Sequence, residues 1–200
     1  MKKHIKNMVS NRCINQVSGI LIDMGIPFEV IELGEVTFEQ NLSMIQELDF
    51  QYKLKQVGLD LISDAKMLLS ERIKLVIIQM IHYSDEHIKT NFSVYLSEKT
   101  NLNYTYLSNV FRTENNMTIQ QFIIIHKIER IKELLLYGEM NLSEISYKMH
   151  YSSIAHLSNQ FKKITGLSPT EYRQLDVIHR IPLEEIGNQG SKPLVQRKNA

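Results

Sequence analysis

The chain has 200 residues, 43% of them hydrophobic and 22% charged, and its formal net charge is only +1. This is an ordinary soluble composition, long enough for one or two domains with their own cores, and the whole-chain charge singles out no polyanionic partner. One cysteine, Cys13, excludes a disulfide within the chain and fits a reducing cytoplasm, and no apolar run reaches the roughly 20 residues of a membrane span or has the pattern of a signal peptide.

The first third alternates strand-like and helical patterns. His4 to Met8 reads as a strand. Cys13 to Met24 carries Ile14, Val17, Ile20, Leu21 and Met24 at helical spacing, and Gly25 and Pro27 supply a stop. Phe28–Leu33 and Val36–Glu39 read as a hairpin turned at Gly34-Glu35. Leu42–Val57 reads as a helix capped by Asn41 or Ser43 and stopped by Gly58, and Leu59–Ser63 as a last strand. The order is βαββαβ within residues 1–64, which places the segment among ferredoxin-like arrangements. Residues 65–88 carry Met67, Leu68, Ile73, Val76, Ile77, Met80 and Ile81 on a helical period. They predict a helix that links two domains or belongs wholly to the second, and its apolar stripe either packs inward or forms a dimer surface.

From residue 89 the strand signals end. Helices are predicted over Phe92–Asn101, Tyr104–Glu114, Ile119–Tyr137, Leu142–His150, Ile154–Thr165 and Pro169–Leu175, followed by a loose tail over 176–200 with Pro182, Gly187, Gly190 and Pro193. Charge is unevenly spread: residues 1–64 hold six Lys/Arg against nine Asp/Glu, and residues 89–175 ten against seven. The second part is therefore the better candidate for a polyanion partner.

That part contains a duplication. Tyr106-Leu107-Ser108-Asn109-Val110-Phe111 returns 50 residues later as His156-Leu157-Ser158-Asn159-Gln160-Phe161, and Asn116-Met117-Thr118 returns as Gly166-Leu167-Ser168. Phe122 matches Tyr172, and Leu96 matches Ile145 with one residue gained. Each copy reads as helix, tight turn, helix. The turn needs a residue that tolerates positive φ, and Asn101 and His150 stand there. Leu96, Leu102, Leu107, Val110 and Phe111 are expected to face one small core, and Ile145, Met149, Leu157 and Phe161 another. The outward face of each second helix is then short and polar, as entry into a major groove about 12 Å wide requires. Periodicity alone leaves a ligand-free repeat of helical hairpins equally open.

The stretch Asn141 to Arg173 resembles the signature of AraC-type transcription regulators of bacteria, above all in Phe161-Lys162-Lys163, Thr165-Gly166-Leu167-Ser168-Pro169 and Tyr172-Arg173. The first copy and the helix from Ile119, with Arg130 and Leu134-Leu135, match too, so the resemblance covers residues 88–175. It departs at Asn101 and His150, where family members often have Gly. It implies an all-α double helix-turn-helix domain on double-stranded DNA, with recognition helices in successive major grooves, and RNA polymerase as a partner. Thr105, Ser108 and Asn109, with Tyr104 beside them, match base-reading positions of the first copy. Ile154, Ala155, Ser158 and Asn159, flanked by Ser153 and His156, match those of the second. Asn pairs with adenine and apolar groups meet thymine methyls, so some A·T bias is expected. Arg112, Lys162 and Lys163 suit phosphates.

Asn7 to Val17 is similar to the loop and helix start of heavy-metal-associated domains, which share the βαββαβ order and hold Cu(I) on a Met-x-Cys-x-x-Cys loop. Ser10 replaces the first cysteine here, leaving Cys13 alone, and a hydroxyl is a poor ligand for a soft metal. No cofactor is therefore expected. Three roles stay open for this segment: a scaffold for partner contacts or homodimerisation, a small-molecule site, or a soft-metal or thiol switch built on Cys13 from two chains that would modulate DNA affinity. The histidines are scattered, no catalytic arrangement of Ser, His, Cys or carboxylates is visible, and the chain does not read as an enzyme.

Overall fold

The computed structural model describes residues 1–84, 91–175, 180–183 and 185–186. They group into two compact units, Met1–Val76 with Leu96–Asn116, and Ile77–Tyr95 with Met117–Ala200.

The first unit contains β1 (Lys2–Lys6), α1 (Asn11–Asp23), β2 (Phe28–Glu32), β3 (Glu35–Phe38), α2 (Met44–Gln56) and β4 (Asp60–Ile62). It also holds α3 (Ala65–Ile78) as far as Val76, the end of α4 (Phe92–Thr100) and α5 (Tyr104–Asn115). The sheet order is β2-β3-β1-β4, with every neighbouring pair antiparallel. Ile5, Val36 and Phe38 of the sheet bury against Cys13, Val17 and Leu21 of α1 and Phe50 and Leu54 of α2. Phe38 and Phe50 meet edge to face at 5.9 Å. Ser43 starts α2 through a capping box with Gln46.

The first strand lies two residues earlier than the sequence predicts. Asn7 adopts φ +64° and turns the chain out of the sheet. Its N–H donates to the Glu71 carboxylate of α3 (3.0 Å), and Met8 then reaches the core from a loop. α3 also binds the first helix pair: Asn115 Nδ2 donates to Ser70 Oγ at 2.7 Å, and Arg72 donates to the Lys99 carbonyl at 3.4 Å. Of the predicted stripe, Ile73, Ile77 and Ile81 are buried and Met67, Leu68, Val76 and Met80 half-buried.

The second unit continues α3 from Ile77 into a π-helical turn, Gln79–Tyr83, where the sequence pattern predicts unbroken α-helix. It holds the start of α4 and then α6 (Ile119–Tyr137), α7 (Leu142–Lys148), α8 (Ile154–Thr165) and α9 (Pro169–Arg173). Thr118 caps α6 in a capping box with Gln121, and Gly138 ends it at φ +71°. Along α6, Lys132 pairs with Glu129 at 2.6 Å and Arg130 with Glu133 at 2.7 Å. The same carboxylates hold part of the stretch expected to be a loose tail: Arg180 reaches Glu133 at 3.3 Å, the Ile181 N–H donates to Glu129 at 3.2 Å, and Ile186 is buried. Residues 176–179, 184 and 187–200 of that tail lie outside the described residues, as do residues 85–90 of the expected link helix. Among the described residues no helix is long and apolar enough to cross a membrane.

One histidine pair forms inside the second unit. His82 Nε2 stands 3.3 Å from His126 Nδ1, and Phe122 stacks on the His126 ring at 4.3 Å. Burial, helped by the Arg130 charge, pushes the His82 imidazole down to about 4. A folded-state pKa below the unfolded one means that stability is present above the unfolded value near 6.5 and falls as pH drops towards 4. A chemical-denaturation series across that window should show wild type losing about 1–2 kcal/mol more than His82→Gln; parallel curves would mean that His82 titrates normally.

Candidate nucleic-acid interface

Each outward-facing helix is set by the same local devices, 50 residues apart. Asn103 caps α5, its side chain accepting the Thr105 N–H at 2.8 Å, and Ser153 caps α8, accepting the His156 N–H at 3.1 Å. α5 ends on Asn116 at φ +54° and α8 on Gly166 at φ +82°. Capping boxes follow on both, Thr118 with Gln121 and Ser168 with Glu171. A third, Asn141 with Glu144, starts α7. The S/T/N-x-x-E/Q spacing of these boxes is visible in the sequence itself.

The tight turns fall where expected, with Asn101 and His150 both at φ +56°. Asn and His adopt the left-handed region at modest cost, which is why the missing glycines leave the turns intact. Leu96, Leu107, Val110 and Phe111 are buried in the first unit, and Ile145, Met149, Leu157 and Phe161 in the second. Leu102 is the exception: it is 37% exposed, because the left-handed Asn101 carries it past a core that Leu96, Leu107 and Phe111 already fill.

With those side chains turned inward, the opposite faces lie in water. On α5, Thr105, Asn109 and Arg112 are exposed and Tyr104 and Ser108 half-buried. They recur at i, i+3 or i+4, and i+7, so they share one face. Burial raises the Tyr104 phenol, keeping it a neutral donor. On α8, Ile154, Ala155, His156, Asn159, Lys162 and Lys163 are exposed and Ser158 half-buried, with exposed Ser153 at the helix start. Ser153 and His156 also serve the fold: the hydroxyl holds the cap, while the imidazole lies 3.2 Å from Ser152 Oγ and edge-on to Tyr151 at 5.3 Å. Arg112, Lys162 and Lys163 sit in last helical turns, where a cation also offsets the helix dipole.

α6 braces the second pair. Lys127 Nζ donates to the Met149 carbonyl at 2.7 Å and lies 5.1 Å from the centre of the Tyr151 ring. Burial lowers this ammonium to about 8. Tyr151 in turn donates to Gln160 of α8, so the turn between α7 and α8 is tied to both sides. The sequence did not single out Lys127; only the fold brings it to a carbonyl 22 residues away.

Cys13 lies elsewhere, in the apolar core of the first unit, 1% exposed and 3.3 Å from Ser10 Oγ. A metal shared between two chains would have to reach a sulfur that water barely touches. Among the described residues no group of three or more His, Cys, Asp or Glu side chains is placed to hold a metal ion.

Comparison with known proteins places the repeat. Residues 96–175 match the family described as helix-turn-helix domain. The chain is 23% identical over 167 residues to an uncharacterised HTH-type transcriptional regulator, YtdP, of Bacillus subtilis, a match covering 82% of this chain and 21% of that protein. It is 30% identical over 79 residues to the Msm operon regulatory protein of Streptococcus mutans, covering 40% and 28%. It is 28% identical over 101 residues to the xylose operon regulatory protein of Escherichia coli K12, covering 50% and 26%. The chain thus spans between a fifth and a third of the length of these relatives.

Proposed function

Because residues 96–175 carry a helix-turn-helix domain and its relatives are transcriptional regulators, we propose that this chain is an AraC-type regulator of bacterial transcription, working in the cytoplasm on double-stranded DNA. The observation that carries the reading is the repeated construction of α5 and α8, each with an apolar side buried and a short polar side in water. Each helix enters a major groove, and the two grooves are successive, roughly 34 Å apart along the duplex. Asn109, Ser108 and Thr105 read bases in one, with Tyr104 against sugar or a thymine methyl. Asn159, Ser158, Ile154 and Ala155 read the other, with Ser153 and His156 at its edge. Arg112, Lys162 and Lys163 hold phosphates. Any bending needed to meet both helices costs on the order of a few kcal/mol and adds to site choice.

The βαββαβ segment is read as a ferredoxin-like scaffold akin to heavy-metal-associated domains. Its element and sheet order support that reading. Replacement of one loop cysteine by Ser10 and burial of Cys13 support a scaffold that no longer holds a metal. RNA polymerase would be the partner at the promoter.

The test is a titration of a selected site and a scrambled duplex at several salt concentrations. Asn159→Ala should cost about 1–3 kcal/mol on the selected site and relax its preference, while Lys162→Ala should weaken both duplexes alike and lower the salt slope by about 1. Equal, sequence-independent losses from both variants would contradict this division of labour.

A further inference from the structure

Each helix pair receives a cation from the long helix that precedes it, at the end of its first helix. In the first unit, Arg72 of α3 donates to the Lys99 carbonyl, near the end of α4, at 3.4 Å and from an exposed position. In the second unit, Lys127 of α6 donates to the carbonyl of Met149, the residue that closes α7, at 2.7 Å and from a half-buried position. The last carbonyls of a helix lack partners within it and carry the negative end of its dipole, so both cations meet a group that favours them.

The two devices then diverge. The Lys127 ammonium also lies 5.1 Å from the centre of the Tyr151 ring, and the Tyr151 hydroxyl donates to Gln160 of α8. His156, one turn before Gln160 on the same face of α8, meets that ring edge to face at 5.3 Å. Tyr151 is thus held from α6 and itself holds α8 at two places. In the first copy the repeat puts Val110 where Gln160 stands, a buried side chain with no hydrogen bond to give or take, so this tie cannot form there. α5 is fastened at its far end instead, where Asn115 donates to Ser70 of α3 at 2.7 Å. We infer that Lys127 is a positioning residue for α8: through the Met149 carbonyl and the Tyr151 ring it fixes the setting of α8 against α6 and α7, and so the angle at which Ser158 and Asn159 meet base edges. The inference rests on the functional reading above. Lys127 touches no DNA in this role; its loss acts through geometry, because hydrogen bonds weaken steeply when misaligned.

Titration and hydroxyl-radical footprinting of the full chain on a duplex selected from a random library test it, at a temperature well below the melt of every variant. Lys127→Met removes the ammonium and keeps the length of the stem; Tyr151→Phe removes only the hydroxyl and changes no charge. Each should lower affinity by about 10-fold. Each should weaken the tract that Ser158→Ala with Asn159→Ala erases, spare the other tract and leave the salt slope unchanged. Lys127→Arg, which can still donate to the carbonyl, should return to within about 3-fold of wild type. Arg72→Met, at the exposed and longer contact, should also stay within about 3-fold. A salt slope lowered by about 1 in Lys127→Met would make Lys127 a phosphate contact and overturn the positioning role. Equal loss of both tracts, or unchanged affinity in both Lys127→Met and Tyr151→Phe, would overturn it too. A wild type that leaves no footprint takes down the functional reading and this inference with it; two wild-type tracts that ignore Lys127→Met and Tyr151→Phe take down this inference alone.

Discussion

Phe161→Ala should remove about 3–5 kcal/mol of stability. Phe161 is fully buried in the last turns of α8 and meets Tyr172 of α9 edge to face at 5.3 Å. Truncation loses the transfer energy of the ring and leaves a cavity that α8 and α9, each anchored by its own cap, have little freedom to close. Domains of this size hold only about 5–15 kcal/mol in total, so the loss is a large share. In thermal melts followed by circular dichroism the midpoint should drop by roughly 10 °C. Lys163→Ala, at an exposed position of the same helix, should shift it by less than about 2 °C. Equal small shifts for both would mean that Phe161 is not a core residue.

The second large effect is expected at Glu129. Its carboxylate is 5% exposed and receives both the Lys132 ammonium, 8% exposed, and the Ile181 N–H. Glu129→Ala strands a buried ammonium 5.8 Å from the centre of the Tyr172 ring with no carboxylate partner, at a cost of about 3–5 kcal/mol. The cost belongs to the abandoned charge and not to the pair, so Glu129→Ala combined with Lys132→Met should recover most of it. The exposed Asp49–Lys53 pair is the contrast: breaking it should cost less than about 1 kcal/mol. Urea titrations of the two single variants and the double variant decide the point. A double variant as weak as Glu129→Ala would show that cavity formation, not charge, sets the loss.

What could be read from the sequence follows from how local each determinant is. The bounds of α6 and α8 were legible from their apolar periods, and the structure supplies a start and a stop at each end: Thr118 and Gly138 for one, Ser153 and Gly166 for the other. The left-handed turns at Asn101 and His150 were legible because the duplication fixed their place. The first strand differs from its sequence pattern because Met8 is a core residue that the strand does not contain. Asn7 bends the chain before Met8, and the Glu71 carboxylate that meets the bent backbone lies 64 residues away. The π-helical turn at Gln79–Tyr83 carries no pattern that distinguishes it from α-helix. His82 and His126, 44 residues apart, looked scattered until the fold joined them. Sequence order was enough to name the outward faces of α5 and α8, since burying Leu107, Phe111, Leu157 and Phe161 leaves the other side of each helix in water. It was not enough to show that Ser153 and His156 also hold the start of α8, or that Lys127 ties its turn to α6.

Hydroxyl-radical footprinting of the purified chain on a duplex selected from a random library tests the proposed reading role of α5 and α8 most directly. Protection should appear as two tracts on one face of the duplex, about one helical turn apart. Ser158→Ala with Asn159→Ala should erase one tract, and Ser108→Ala with Asn109→Ala the other. No protection even in dilute salt, or a footprint indifferent to both pairs of substitutions, would contradict the account.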